Sequence, residues 1–269
     1  MNDQHAKALA FKALHERNEP FLIPNPWDRG STRLLQSLGF EALATTSLGL
    51  ANMLGRKSAS ATEILDNCKL ICESTHLPVN ADLENCFAAA PREAARAIAL
   101  ACECGAVGGS IEDFSGDASA PIYDFTLAVE RVHAAVEAAR ALPIPFMLTA
   151  RAENFLHGRR DLDDTIKRLQ AFEAAGADVL YAPGLRTFDE IRTVVSAVTK
   201  PVNIVMGFAD PTLTLARLGE AGVRRISIGG ALSRVALQAF MRAAAEMRAG
   251  RFGFVADLAP LKELQQAFD

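Results

Sequence analysis

The strongest constraint on the fold of this chain is a unit that recurs along its whole length. Each unit is a helical stretch, a break at glycine or proline, and an apolar run of four to six residues. Four breaks carry glycine, at Gly39, Gly105, Gly176 and Gly222, and three carry proline, at Pro78, Pro145 and Pro201. Glycine directly after a helix adopts a positive φ cheaply because it has no Cβ.

The apolar runs give eight predicted strands. They are Phe21–Pro24, Ala42–Ser47, Val79–Leu83, Val107–Glu112, Phe146–Ala150, Val179–Ala182, Val202–Met206 and Arg225–Gly229. Strict alternation of such strands with helices is typical of a parallel sheet covered by helices. Eight units close most economically as a ring, so the predicted fold class is α/β, a (β/α)₈ TIM barrel.

The sequence also predicts where several helices begin. Ser60-x-x-Glu63 and Thr187-x-x-Glu190 have the pattern of capping boxes. Asp210 before Pro211 predicts an N-cap followed by proline at the first helical position. We expect one barrel domain over residues 1–269, with the last barrel helix at about 231–249 and a helical extension at 251–269.

Composition excludes several classes of function. The net charge is −4 and the sequence pI is about 5.8, with Lys and Arg scattered, so a nucleic-acid partner is not expected. No apolar run reaches the length of a membrane span and residues 1–17 are mixed and polar, which predicts a cytoplasmic protein. Five irregularly spaced cysteines predict free buried thiols rather than a zinc site.

Acidic residues lie at the ends of two neighbouring strands: Asp82 and Glu84 at the third, Glu112 and Asp113 at the fourth. In a barrel these positions meet at the C-terminal rim, where catalytic groups lie. Converging carboxylates repel one another, and a hard cation such as Mg²⁺ would relieve that repulsion. Pairing with Arg151 and backbone amides would relieve it equally well, and both interpretations stay open.

Arg151 ends the fifth strand and can hold a carboxylate or phosphonate while stabilising an enolate. An ion pair with Glu153 or Glu112 is the structural alternative, and the two roles are compatible. The turn at 46–49 offers hydroxyls and amides to an anion, or is simply a tight turn. Gly229-Gly230 suits either a phosphate site or close helix packing.

These strand-end residues together resemble the isocitrate lyase/phosphoenolpyruvate mutase superfamily over nearly the whole chain. The matching stretches are Pro24–Asp28, Gly39–Ser47, Pro78–Asn85, Gly108–Asp113, Thr149–Glu153 and Val223–Gly230. Each stretch is a weak signal, but six in order at the right separations are specific. The resemblance implies a Mg²⁺-dependent enzyme, with Mn²⁺ as the alternative cation, that forms an enolate-like pyruvate intermediate from small 2-oxo or 2-hydroxy acids.

The resemblance also implies roles for individual residues. Asp82 matches the direct metal ligand of the family, and Glu84 and Glu112 match its companion acids. Arg151 matches the arginine that binds substrate and stabilises the enolate. The remaining substrate-binding candidates are Thr46, Ser47 and Leu48, which match the turn that binds the pyruvyl carboxylate, with Trp27, Glu153 and Asn203 near other strand ends.

Assembly is a further implication, because members of this superfamily exchange the last barrel helix and usually form tetramers. Here that helix spans about 231–249. Val235, Leu237, Phe240 and Met241 give it an apolar face too broad for a helix covered only by solvent. We therefore expect a homotetramer built from two helix-exchanged dimers.

The loop after the fourth strand, Phe114–Pro121, departs from the family. It contains neither the lyase cysteine motif nor the Lys-Thr-Asn segment of the mutases, and Lys57-Ser58 stands where a gating Asp is expected. Cys104 precedes the fourth strand, so it is predicted at the opposite end of the barrel. The predicted function is a lyase or decarboxylase, with oxaloacetate as the simplest substrate. The alternatives are phosphonopyruvate or carboxyphosphonoenolpyruvate P–C chemistry, or a silent 2-oxo-acid-binding protein.

Overall fold

The computed structural model describes residues 3–268 and shows eight parallel strands in a nearly closed barrel surrounded by helices. The strands are β1 Phe21–Ile23, β2 Leu43–Ala44, β3 Val79–Asp82, β4 Gly108–Glu112, β5 Met147–Arg151, β6 Val179–Tyr181, β7 Val202–Val205 and β8 Arg225–Ser227. Each overlaps its predicted range, and the predicted (β/α)₈ barrel is confirmed.

Helices fill every connection between the strands and extend beyond the last one. They are α1 Asp3–Glu16, α2 Arg29–Ser37, α3 Ser47–Met53, α4 Ala61–Glu73, α5 Pro91–Glu103, α6 Phe125–Arg140, α7 Leu162–Ala174, α8 Phe188–Ser196, α9 Leu215–Glu220, α10 Ala231–Arg248 and α11 Leu261–Phe268. A short 3-10 helix, Gly253–Asp257, precedes α11.

The barrel closes where its first two strands meet. Seven strand pairs form a continuous parallel ladder in the order β1-β8-β7-β6-β5-β4-β3-β2. β1 and β2 are joined by two individual hydrogen bonds instead of a ladder. Ala44 N donates to Pro24 O at 3.1 Å, and Asn25 Nδ2 donates to Thr45 O at 3.0 Å. The carboxyl ends of all eight strands therefore face one rim.

Local sequence signals account for most helix ends. The four predicted glycines follow helices α2, α5, α7 and α9 with φ of +84°, +98°, +100° and +87°. Both predicted capping boxes are confirmed, at Ser60 with Glu63 and at Thr187 with Glu190. Each satisfies backbone amides that a helix start leaves without partners.

The predicted helix start at Asp210 is wrong. Helix α9 begins at Leu215, and its N-cap is Thr214, whose side chain accepts from the backbone of Arg217 at 3.2 Å. Asp210 instead accepts from the amide and hydroxyl of Thr212 at 2.9 and 2.7 Å. A short acidic side chain can close such a turn as readily as it caps a helix.

Helix α1 covers the N-terminal end of the barrel with a small aromatic cluster. The His15 ring contacts Phe11 and Phe21 edge to face, with centroids 4.6 and 4.9 Å apart. Gly108, at the start of β4, leaves room for this cluster, because a Cβ there would lie 2.9 Å from the Phe11 ring. This end of the barrel is closed, and access to the interior is from the opposite rim.

Half of the exposed large apolar side chains among residues 3–268, ten of twenty, lie from α10 onwards. Helix α10 occupies the range predicted for the last barrel helix, and Ser233 is its one buried residue among those described. Helix α11 packs against α2 and lies in the predicted extension, whose last residue, Asp269, is outside the described part of the chain. Exchange of α10 between subunits stays a prediction.

Two expectations from composition can be compared with the fold. In residues 3–268, no helix combines the length and apolarity needed to cross a membrane. All five cysteines are free, and four of them, all but Cys104, are buried, as predicted. Burial raises the pKa of the Cys86 thiol to about 12, which keeps it protonated.

His15 should make stability depend on pH in a defined direction. Burial, reinforced by the charge of Arg225, lowers its pKa from 6.5 to about 3. Between these values the unfolded chain binds a proton that the folded chain does not, so lowering the pH from 6.5 towards 3 costs up to about 1.4 kcal/mol per unit. Urea unfolding of His15→Gln should lack this part of the pH dependence.

The matched control for this prediction is His133→Gln. His133 lies on the exposed face of α6, so its replacement should leave the slope between pH 6.5 and 4.5 as in the wild type. Equal slopes for wild type and His15→Gln, at one fixed protein concentration, would show that His15 titrates as freely in the folded chain as in the unfolded chain.

Candidate active site

An arginine and three carboxylates meet at the open rim of the barrel. Arg151 ends β5, and its Nη1 lies 2.9 Å from Asp82 Oδ1 at the end of β3. Its Nη2 lies 3.1 Å from Glu112 Oε2 on β4 and 2.8 Å from Glu153 Oε1. Glu112 is the register partner of Arg151, which fixes that contact directly. The ion pairs expected of Arg151 are thus present, and Asp82 is a third partner.

Asp82 also joins the rim to the turn that precedes α3. Its Oδ2 accepts from the backbone amide of Ser47 at 2.9 Å and from the Ser47 hydroxyl at 3.0 Å. Its own amide donates to the Thr45 hydroxyl side chain at 2.8 Å. These bonds set the carboxylate orientation, so the residue matched to a direct metal ligand is held in one position.

The rim carries more negative than positive charge. Burial raises the pKa of Glu112 well above its usual value, and although Arg151 opposes this, Glu153, Asp82 and Glu84 add repulsion. Burial and Asp82 likewise raise the pKa of Glu84. For Arg151 burial acts to lower the pKa, but the three carboxylates outweigh it and hold the guanidinium charged. Four carboxylates thus lie near one arginine, and three of them contact it.

Glu84 is carried on a loop with unusual backbone geometry. Glu84, Cys86 and Phe87 have φ of +51°, +57° and +63°, the left-handed region that side chains rarely adopt. Arg131 of α6, which is 1% exposed, holds this loop by donating to the carbonyls of Asn85, Ala88 and Ala89. The loop conformation is therefore set by contacts from outside it.

The donor set at the rim suits a hard divalent cation. Among residues 3–268, no three His, Cys, Asp or Glu side chains form a compact ligand cluster, and the guanidinium of Arg151 lies between Asp82 and Glu112. The excess of buried carboxylates nevertheless matches Mg²⁺, which binds through one or two carboxylates and keeps several waters. Asp82, Glu84 and Glu112 fit that role chemically.

A cavity of about 220 Å³ opens at this rim and descends into the barrel. The predicted site residues that line it are Thr46, Ser47, Leu48, Asp82, Arg151 and Asn203. Glu112 and Glu153 are buried behind Arg151 and contact it from outside the cavity. Tyr181 forms one wall, with its ring 4.9 Å from the Arg151 guanidinium.

Trp27 does not line this cavity. It lies beside Gly49, Met53 and Phe240 in a separate groove between α3 and α10. Its backbone carbonyl accepts from Asn67 Nδ2 at 2.9 Å, which ties the β1–α2 connection to α4. Its assignment as a substrate-binding residue stays a prediction.

The turn at 46–49 and the Gly229-Gly230 pair both have structural roles at the rim. Thr46 is the N-cap of α3, with its hydroxyl accepting from Gly49 N at 3.2 Å. Gly229 N and Ile228 N donate to Asn25 Oδ1 at 2.8 and 3.0 Å, so these amides already have an acceptor. A Cβ on Gly230 would come within 2.8 Å of Leu48, which favours close packing as the reason for glycine there.

Sequence reasoning missed the polar inner wall of the cavity. Ser110, Tyr181, Arg225 and Ser227 line it, and Asn80, whose buried Oδ1 has no donor in the described residues, lies among them. Barrel interiors are usually filled with branched aliphatic side chains. The signal was present in Arg224-Arg225, because strand alternation turns one of two successive residues inward.

Two other titratable groups, His157 near the rim and Cys104 at the closed end, are in supporting positions. His157 stacks on Phe114 with ring centroids 3.9 Å apart, and its Nε2 lies 3.9 Å from Glu153 Oε2. Cys104 is the C-cap of α5, immediately before β4, which places it at the closed end of the barrel as predicted. The loop at 114–121 folds back through a bridge between Phe114 and Ile122.

Comparison with known proteins agrees with this architecture. A solved structure described as a putative lyase/mutase from Burkholderia cenocepacia J2315 has 54% identity and a TM-score of 0.97, covering 100% of this chain and 97% of that one. An uncharacterized Mycobacterium tuberculosis protein is 30% identical over 239 residues, 88% of each chain. An oxaloacetate decarboxylase from Pseudomonas savastanoi is 29% identical over 240 residues, 86% of this chain and 81% of its own.

The family comparison covers the barrel itself. Residues 11–248 match the phosphoenolpyruvate phosphomutase family, from the first helix to the end of α10. The chain therefore belongs to the phosphoenolpyruvate phosphomutase family, within the isocitrate lyase/phosphoenolpyruvate mutase superfamily, whose members include Mg²⁺-dependent lyases.

Proposed function

We propose that this protein is a Mg²⁺-dependent lyase that cleaves a bond next to the 2-oxo or 2-hydroxy group of a small carboxylic acid, through a pyruvate enolate. The observation that supports this most directly is Arg151, which lines the cavity while three carboxylates hold it charged. A fixed cation beside an acid-rich rim suits the stabilisation of an enolate oxygen.

Asp82, Glu84 and Glu112 would hold the cation, and Mn²⁺ should substitute for Mg²⁺. When bound, the cation polarises the 2-oxo group as a Lewis acid. Asp82 presents its carboxylate in one orientation because Ser47 donates to it twice. The turn of Thr46, Ser47 and Leu48 would receive the substrate carboxylate, and Asn203 would contact the substrate from the inner wall.

The simplest reaction for these residues is decarboxylation of oxaloacetate. The C3–C4 bond breaks, CO₂ departs, and its electron pair remains in the enolate of pyruvate, whose oxygen Arg151 stabilises. A proton reaches C3 only after the bond has broken, so no acid is needed beforehand. That order suits a site whose neighbouring loop at 114–121 contains no Cys, Lys or His.

The roles of Glu153 and Trp27 follow from where they lie. Glu153 accepts from Arg151 Nε at 2.8 Å, so it would orient the guanidinium rather than contact substrate itself. Trp27 packs beside α10, and it would reach a ligand only if the groove between α3 and α10 were part of the assembled site.

Cleavage of a P–C bond in phosphonopyruvate or carboxyphosphonoenolpyruvate is the second candidate, and it would use the same enolate stabilisation. A protein that binds 2-oxo acids without turnover is the third. Oxaloacetate turnover above its Mg²⁺-catalysed background separates the enzyme from the silent binder, and a panel of phosphonates separates the two chemistries.

The metal assignment predicts that Asp82→Ala loses Mg²⁺-dependent binding of oxalate, a mimic of the enolate. The substitution removes the carboxylate that Ser47 orients, so calorimetry should show no oxalate heat in either Mg²⁺ or EDTA. Asp189→Ala is the matched control, because Asp189 is an exposed carboxylate at the start of α8. Unchanged oxalate binding in Asp82→Ala, or in wild type with EDTA, contradicts the assignment.

Arg151→Lys is predicted to lower kcat by about 100-fold or more with a smaller change in KM. Lysine keeps the charge but lacks the planar fork, so stabilisation that grows in the transition state is lost. Arg160→Lys, which alters an exposed ion pair with Glu190, is the control. Full kcat in Arg151→Lys, with only a lower Tm, would show that Arg151 is purely structural.

We also propose a homotetramer of two helix-exchanged dimers. Val235, Phe240 and Met241 on α10 are 62%, 72% and 67% exposed in the single chain, an apolar face that association would cover. Sedimentation at micromolar concentration should show a tetramer, and Phe240→Glu should dissociate it. A monomeric wild type at that concentration would rule this assembly out.

A further inference from the structure

The barrel interior holds a second buried arginine at a deeper level than Arg151. Arg225 lies on β8, is 4% exposed, and lines the same cavity. Its guanidinium reaches towards the closed end, where Nη1 lies 3.4 Å from His15 Nε2. Nε donates to Asn203 Oδ1 at 2.9 Å and Nη2 to Thr149 Oγ1 at 3.0 Å.

Every protein partner of Arg225 is neutral. In residues 3–268 no carboxylate comes within ion-pair distance of it, whereas Arg151 contacts three. Burial lowers the pKa of Arg225 to about 9; Tyr181 opposes this and Arg151 adds to it, so the group is still charged at neutral pH. A buried charge without a counter-ion is costly, which makes this position unusual for a purely structural residue.

Other donors beside Arg225 also lack protein acceptors. A guanidinium has five N–H groups, and only three of those on Arg225 meet an acceptor. Ser227 Oγ accepts from Asn203 at 3.1 Å, but its own proton has no acceptor in the described residues, nor has the Tyr181 hydroxyl. The inner wall is thus rich in donors, while the rim is rich in acids.

We propose that Arg225, with Ser227 and Tyr181, forms an inner subsite for a second acidic group of the substrate, a carboxylate or a phosphonate. This rests on the proposed function, because the 2-oxo acid head must be held at the rim for a distal group to reach inwards.

The same subsite has a consequence for the bond that breaks. An ion pair to a carboxylate is lost as that carboxylate becomes neutral CO₂, so it stabilises the ground state more than the transition state. Arg225 therefore suits an acidic group that stays on the product. Longer 2-oxo diacids fit this requirement better than oxaloacetate, which nevertheless remains the simplest test of the rim.

The first test uses the wild-type protein with Mg²⁺ and pairs of ligands matched in chain length. The pairs are oxaloacetate with 2-oxobutanoate, 2-oxoglutarate with 2-oxopentanoate, and 2-oxoadipate with 2-oxohexanoate, with phosphonopyruvate alongside to distinguish the anionic group. Hydrogen bonds to a buried charge predict that the diacid of at least one pair binds about 10-fold to 100-fold more tightly. No preference at any length would overturn the proposal.

The second test asks whether the preference depends on Arg225. Arg225→Met keeps much of the side-chain volume and removes the charge, so the ratio of diacid to monoacid affinity should fall to about one. Arg225→Lys keeps a charge without the fork and should retain part of the ratio. Arg224→Met is the matched control, since Arg224 immediately precedes β8 and is not among the residues that line the cavity.

Oxalate separates this proposal from the proposed function. Oxalate has no acidic group beyond the two adjacent carboxylates that mimic the enolate, so its Mg²⁺-dependent binding reports the rim alone. Oxalate binding without a diacid preference would overturn the inner subsite and leave the lyase assignment intact. A diacid preference without Mg²⁺-dependent oxalate binding would support the subsite and overturn the metal assignment. If Arg225→Met does not fold, the wild-type ligand pairs and Arg225→Lys still test whether the inner subsite exists.

Discussion

The interaction on which the rest of the site depends is the contact of Arg151 with Asp82, Glu112 and Glu153. These groups come from the ends of β3, β4 and β5, so one guanidinium joins three neighbouring strands at the rim. A buried cluster of this kind contributes little net stability, because desolvation offsets most of the Coulombic gain. Its excess of acid over base is better explained by chemistry than by folding.

Charge is distributed unevenly along the depth of the barrel. The acids gather around Arg151 at the rim. Arg225 lies deeper in the same cavity, and within residues 3–268 its side-chain partners are Asn203, Thr149 and His15. A rim that attracts a cation and an inner wall that offers donors would orient a ligand along the barrel axis. Helix α1 packs across the far end of the barrel, and the cavity opens at the rim.

The sequence predicts where a side chain lies when that place depends only on the end of a strand. Asp82, Glu112 and Arg151 meet at the rim because parallel strands bring their carboxyl ends to one edge of the barrel, while their roles in catalysis stay predictions. Arg225 was missed because it lies within a strand, where its inward orientation depends on the register of β8. Trp27 lies close to the end of β1, yet the chain turns it towards α10, outside the cavity.

What the sequence by itself determined is the order of elements and the fold class. Glycines after helices, capping boxes and apolar runs act over a few residues. The helices and strands that they start, end or form can therefore be predicted from the sequence. Only the tertiary structure decided which side chains meet. Arg151 contacts Asp82 across 69 positions of sequence, and Arg225 approaches His15 across 210. Such contacts depend on how the strands are staggered and closed into a ring, which no local pattern encodes.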